Sequence, residues 1–211
     1  MFKFFKLLVL TLFLTAVSNV YAASNQGNNL NEIYKQLGLD EKISYSADIE
    51  MTSSASQTMP MNLSKMYYQN GNIRTEGDAS GMKFITILRK EGTMYSYNGQ
   101  MDSWMTTDMN AMLNQEQNMP TYTKMGKETV DDKNCIKYKT EDPSIQMEGY
   151  IWVNDGIIYK NEFTSPYGTN TVYYKNIKKE KIDSSLFMPP KDANVQDMTA
   201  LLQGMMQQQQ Q

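Results

Sequence analysis

The chain has no histidine among its 211 residues and a single cysteine, Cys135. The missing histidine removes the commonest general base, the usual zinc ligands and any Ser-His-Asp arrangement. One cysteine cannot form an intrachain disulfide. Cys135 alternates with Ile136 and Tyr138 in a strand-like pattern, the signature of a buried or half-buried thiol and not a reactive one. Charge of one sign is lacking too, since 20 Lys and Arg stand against 23 Asp and Glu for a formal net charge of −3. Without a basic excess, no nucleic-acid partner and no electrostatic docking on anionic lipid is expected. Catalysis by carboxylates alone would need a positioned pair. The candidates Asp131-Asp132, Glu141-Asp142 and Glu76/Asp78 all sit beside Gly, Lys, Asn or Pro in turns, where acids are solvated. No catalytic residue, metal ligand or cofactor is assigned, and the chain is not expected to be an enzyme.

Long apolar runs are also missing, with one short exception at the start. Residues 1–6 are basic, residues 7–17 are almost unbroken apolar, and residues 18–22 turn polar and end in Val20-Tyr21-Ala22. This order of basic, apolar and small-residue segments is that of a secretory signal peptide. The apolar run is too short for a permanent membrane anchor. No cysteine follows it to accept a lipid. The expectation is cleavage near Ala22 and a soluble monomer in the periplasm. Residues 1–22 are read as the signal peptide, 23–195 as one domain, and 196–211 as a C-terminal helix with a disordered glutamine tail.

What the chain does have is period-two alternation. Asn29 or Asn31 can cap a short helix carrying Leu30, Ile33, Tyr34 and Leu37, which Gly38 ends. From Lys42 onward Ile43, Tyr45, Ala47, Ile49 and Met51 alternate with polar residues, as in a half-buried antiparallel strand. Further strands are predicted over residues 61–68, 73–76, 82–88, 93–97 and 103–106, joined by turn pairs such as Asn70-Gly71 and Glu91-Gly92. Residues 108–117 break the pattern as a helix capped by Asp108, with Met109, Met112 and Leu113 as its stripe. Strands resume over 122–125, 135–140, 145–153, 157–163 and 171–177, followed by the apolar Leu186-Phe187-Met188-Pro189-Pro190 and a terminal helix over 195–206. The sum is one sheet of roughly ten strands with a few short helices.

Three ordered segments carry a resemblance. These are the leading helix with the Ile43–Met51 strand, the Lys90–Asn98 hairpin with Trp104 after it, and the closing Ile182–Pro190 segment. Together they resemble the LolA-like superfamily of periplasmic lipoprotein and lipid carriers. The resemblance implies an α+β fold in which an antiparallel sheet curves into an incomplete half β-barrel, with short helices covering the concave face. It implies an apolar cavity for acyl chains or a lipidated protein, and a carrier role in outer-membrane lipoprotein trafficking. Its lining is drawn from the strand aromatics and their apolar neighbours: Tyr45, Ile49, Met51, Tyr68, Phe84, Tyr95, Tyr97, Trp104, Tyr138, Trp152, Tyr159, Phe163 and Tyr174. Arg74 stands as a polar rim for a head group. The family's basic-Pro-Asn bend is replaced here by Tyr68-Gln69-Asn70-Gly71, without the proline. Alternation does not say which face is concave.

Two other readings remain. Methionine is abundant at 18 residues, and Met59, Met61, Met101, Met105, Met109 and Met112 recur at short spacings that suit soft Cu(I). Alternatively the fold is an envelope interaction or sensor module that binds a protein partner without transport.

Overall fold

The alternating segments become one sheet. The structure, a computed structural model, describes residues 34–54, 61–79, 81–109, 121–142, 147–165 and 168–200. Its strands are β1 (Ser44–Ser53), β2 (Met61–Gln69), β3 (Asn72–Ala79), β4 (Met82–Leu88), β5 (Thr93–Asn98), β6 (Ser103–Asp108), β7 (Thr121–Val130), β8 (Lys133–Asp142), β9 (Met147–Asn154), β10 (Ile157–Ser165), β11 (Gly168–Lys179) and β12 (Val195–Asp197). Their order across the sheet is β12-β6-β5-β4-β3-β2-β1-β11-β10-β9-β8-β7. Two meanders, β1–β6 and β7–β11, meet where β1 pairs antiparallel with β11. The sheet is open, because its end strands β12 and β7 do not pair with each other.

Turn chemistry sets the hairpins. Asn70 and Gly71 take φ of 51° and 78° between β2 and β3, and Asp131 and Asp132 take 46° and 60° between β7 and β8. Two successive left-handed residues match the twist of the flanking strands. Asn and Asp tolerate that conformation better than other side chains.

Helix is scarce among the described residues. Residues 34–37 are the end of the leading helix, and Gly38 at φ 64° closes it. The Gly38 N–H donates to the Lys35 carbonyl at 3.1 Å and the Leu39 N–H to the Tyr34 carbonyl at 2.7 Å, which is a Schellman cap. The helix expected over residues 108–117 shows only Met109 as helical, and the rest lies outside the described residues. Residues 1–22, expected to be a signal peptide, and the glutamine tail also lie outside them. The terminal helix expected from Val195 is corrected at its start. Val195–Asp197 is strand β12, parallel to Trp104, Met105 and Thr106 of β6. The β6 edge offers backbone partners that an exposed helical turn lacks, and the Met198 N–H donates to the Thr106 carbonyl at 2.9 Å.

The sheet curls, and the short helix shows which way. The Tyr34 hydroxyl donates to the Gly71 carbonyl at the β2–β3 turn, at 3.3 Å. Four residues on, the Tyr138 hydroxyl of β8 lies 4.0 Å from where a Gly38 Cβ would stand. β2 and β8 are five strand steps apart in the sheet order, which is about 24 Å in a flat sheet. One helix end can touch both only if the sheet bends around it. The concave face is therefore the one bearing Tyr45, Ala47, Ile49, Met66 and Tyr68.

That inner face carries the largest apolar cluster, with Tyr34 and Leu37 seated on it. The outer face is covered in two ways. Over β3–β6, Ile182 and Phe187 pack on Ile85, Ile87 and Trp104. Three side chains hold this closing segment by its carbonyls. Gln69 reaches Ile182 at 2.8 Å, Arg74 reaches Leu186 at 2.8 Å, and Arg89 reaches Phe187 at 3.3 Å. Over β8–β11, lysine stems cover aromatic rings. The Lys160 ammonium lies 4.1 Å from the centre of the Trp152 ring, and Lys137 lies 4.4 Å from Tyr150. Each lysine also meets an acid, Lys137 with Glu128 and Lys160 with Glu162, both at 3.1 Å.

Candidate functional site

Strand register decides which sequence-picked residues can act together. Tyr45 opposes Tyr68, and Ile49 opposes Tyr174, so all four project from the inner face. The rings of Tyr45 and Tyr68 stack with centroids 5.1 Å apart, and Tyr34 meets Tyr68 edge-on at 6.3 Å. Phe84, Tyr138 and Phe163 belong to the same buried cluster, with Met51 packed against it. Tyr159 sits at a bulge in β10, where the register shifts between Ile158 and Lys160, and packs between the inner cluster and the outer group around Trp152.

The remaining picks lie elsewhere. Tyr95, Tyr97 and Trp104 are on the outer face beneath the closing segment, so they do not share a cavity with Tyr45. Trp152 is outer as well, between Lys137 and Lys160. The parity of β4–β6 puts each of these rings opposite the inner residues, because Ile85 pairs with Tyr97 and Tyr97 with Trp104. Arg74 is buried on the outer face, where its Nε donates to Glu76 at 2.7 Å and its Nη1 to the Leu186 carbonyl. It clamps the closing segment and does not border the inner cavity. The same loss of parity separates the methionines. Met109 is buried in the inner core, whereas Met101 is more than half exposed, and Met59 and Met112 lie outside the described residues.

The inner face encloses a cavity of about 30 Å³. Tyr45, Ile49, Tyr68 and Tyr174 line it together with residues outside the expected lining: Tyr34, Leu39, Met66, Ile73, Thr75, Gly156, Ile158 and Asn161. Asn161 was legible in part. Lys160 and Glu162 flank it as outward residues, so alternation places it inward beside Phe163. Among the described residues no Asp, Glu, Lys or Arg lines the cavity.

Its polar groups are only partly satisfied. Asn161 Nδ2 donates to the Tyr174 hydroxyl at 3.1 Å, while Asn161 Oδ1 has no partner among the described residues. The Tyr68 hydroxyl is buried without a well-formed hydrogen bond, although it lies near enough to the Tyr34 hydroxyl for a weak interaction. Burial pushes the phenols of Tyr34, Tyr45, Tyr68 and Tyr174 well above their ordinary range. They stay neutral donors at any physiological pH. Glu41 adds a negative charge felt by both Tyr34 and Tyr68.

No protein-family model matches this chain, and no curated protein does. Solved structures do. PNGF-II aligns with a TM-score of 0.52 at 11% identity over 78% of this chain and 33% of its own. The chain thus spans about a third of PNGF-II, and the likeness is one of sheet architecture. The lipoprotein LppX of Mycobacterium tuberculosis aligns at 0.42 with 10% identity, covering 71% of this chain and 94% of LppX. A LolA superfamily protein from Nitrosomonas europaea aligns at 0.37 with 11% identity, covering 75% and 97%. The LolA-like group that the sequence resembles is among the structural neighbours.

Proposed function

We propose that the protein is an exported, periplasmic carrier that binds an acyl chain, of a free lipid or of a lipidated protein, on its inner face. The observation that supports this most is the breadth of that face. One apolar cluster runs from Phe84 and Leu88 of β4 to Tyr138 of β8. A sheet of this size needs a cover, and the helical cover among the described residues is the single turn at 34–37. An acyl chain suits such a surface, since each buried methylene contributes about 0.8 kcal/mol without any polar contact.

The cavity as it stands is small. About 30 Å³ holds one or two waters, whereas ligand pockets run from roughly 300 Å³ upward. Uptake therefore requires movement, and the segment at 34–40 is the element placed to move. Its polar ties to the sheet include the Tyr34 hydroxyl to Gly71 and the Asp40 N–H to the Gly156 carbonyl at 3.2 Å. Bonds of this kind contribute about 1 kcal/mol each, close to the gain from one or two methylenes. A long chain can displace them and release can restore them.

The small cavity also favours a second reading, an envelope interaction module that binds a protein partner and transports nothing. Native mass spectrometry of the protein purified from a bacterial envelope separates the two. A reproducible adduct of lipid mass, removed by organic extraction, supports the carrier. A bare protein mass, with no uptake of an added fluorescent fatty acid and one stoichiometric protein partner on pull-down, supports the module.

A further inference from the structure

Three buried polar atoms, on Tyr68, Thr86 and Asn161, lack a well-formed hydrogen bond among the described residues and belong to strands at positions facing the inner side of the sheet. Two of them, on Tyr68 and Asn161, line one cavity. An unpartnered buried donor or acceptor costs about 1–3 kcal/mol. Hydrocarbon alone would leave that cost in place. Asn161 Oδ1 can only accept, and the Tyr68 hydroxyl can donate. A group with an N–H or O–H satisfies Asn161 Oδ1, and one that also accepts suits the Tyr68 hydroxyl.

The electrostatics narrow the choice. Asn161 and Tyr68 are 1% and 5% exposed, no cation lines the cavity among the described residues, and Glu41 acts on Tyr68 from nearby. A carboxylate or phosphate would be buried unpaired beside a negative charge, which is strongly unfavourable. The volume fits a small head and no chain.

We infer that Tyr68 and Asn161 form a hydrogen-bonding subsite for an uncharged amide or hydroxyl group at the head of an acyl chain. This deepens the carrier reading and rests on it. The chain itself lies along the apolar inner face once residues 34–40 move. The protein thereby prefers neutral acyl amides and alcohols to fatty-acid anions of equal length.

Isothermal titration with four probes of one chain length, lauramide, lauryl alcohol, methyl laurate and laurate, tests it. Lauramide and lauryl alcohol should bind about tenfold more tightly than laurate, with the acceptor-only ester between them. Tyr68→Phe should bring lauramide and lauryl alcohol to within about twofold of laurate, and Asn161→Leu gives the same readout from the other partner should Tyr68→Phe not fold. Equal binding of all four probes, or a full preference in both variants, would overturn the subsite while leaving the carrier intact. If none of the probes binds, the carrier reading itself falls.

Discussion

Asn161 donates its amide to the Tyr174 hydroxyl at 3.1 Å across neighbouring strands β10 and β11. That bond fixes the amide plane and leaves the amide oxygen as an acceptor inside the cavity. Tyr174→Phe removes the partner and leaves the whole amide unpaired. A loss of about 1–3 kcal/mol in urea unfolding is expected.

Arg74 is a structural clamp. Arg74→Met should destabilise the protein by about 1.5–3 kcal/mol, because it removes charged hydrogen bonds to Glu76 and to the Leu186 carbonyl. Acyl-ligand affinity, measured on the folded fraction, should not change. A weakened affinity in a stable variant would put Arg74 at the binding site after all.

Trp104 separates packing from binding in the same manner. It is 6% exposed on the outer face, against Tyr97 at 5.4 Å between ring centres. Trp104→Ala should cost about 3–5 kcal/mol of stability and leave ligand uptake intact. Ile49→Ala on the inner face should reduce both.

The sheet and its hairpins were legible because each local signal agreed with the next. Period-two alternation gave the strands, and Asn70-Gly71 gave a turn whose dihedrals the structure repeats. Gly38 as the helix stop followed from its position after Leu37. What alternation could not give was the side of the sheet. Tyr45 and Tyr97 read alike as strand aromatics, and only the register through β2, β3 and β4 puts them on opposite faces. Bulges add a second loss. The extra residue at Tyr159 brings Ile158 to the cavity, against the parity of the sequence. β12 was missed because three exposed residues carry no pattern, and the open edge of β6 decides their conformation.

Alkaline stability follows from the inner tyrosines. Burial raises the phenols of Tyr45 and Tyr174 above their ordinary 10.0, so the native state holds protons that the unfolded chain releases. Their contribution is complete below about pH 10 and is lost as pH rises beyond it. The raised ammonium values of Lys65 and Lys175, each bonded to an aspartate, act in the same direction. The urea midpoint should stay flat from about pH 8 to 9.5 and fall steeply above 10. Buried tyrosinate absorbance should appear together with unfolding. Its appearance in the folded protein near pH 10 would contradict the burial.

Cys135 is fully buried, and desolvation raises its thiol above the usual range. A disulfide reagent should leave the folded protein unmodified and label it completely in urea. Rapid labelling of the native protein would place this residue at a mobile surface.

Photo-crosslinking reports which face of the sheet an acyl chain occupies. A lauryl amide carrying a diazirine on its chain would be irradiated with the protein purified from a bacterial envelope, then mapped by peptide mass spectrometry. Saturable label is expected on inner-face residues such as Ile49, Met66 and Ile158, competed away by lauramide. Label confined to the outer face around Trp104 and Phe187, or none above that of an unfolded control, would contradict it.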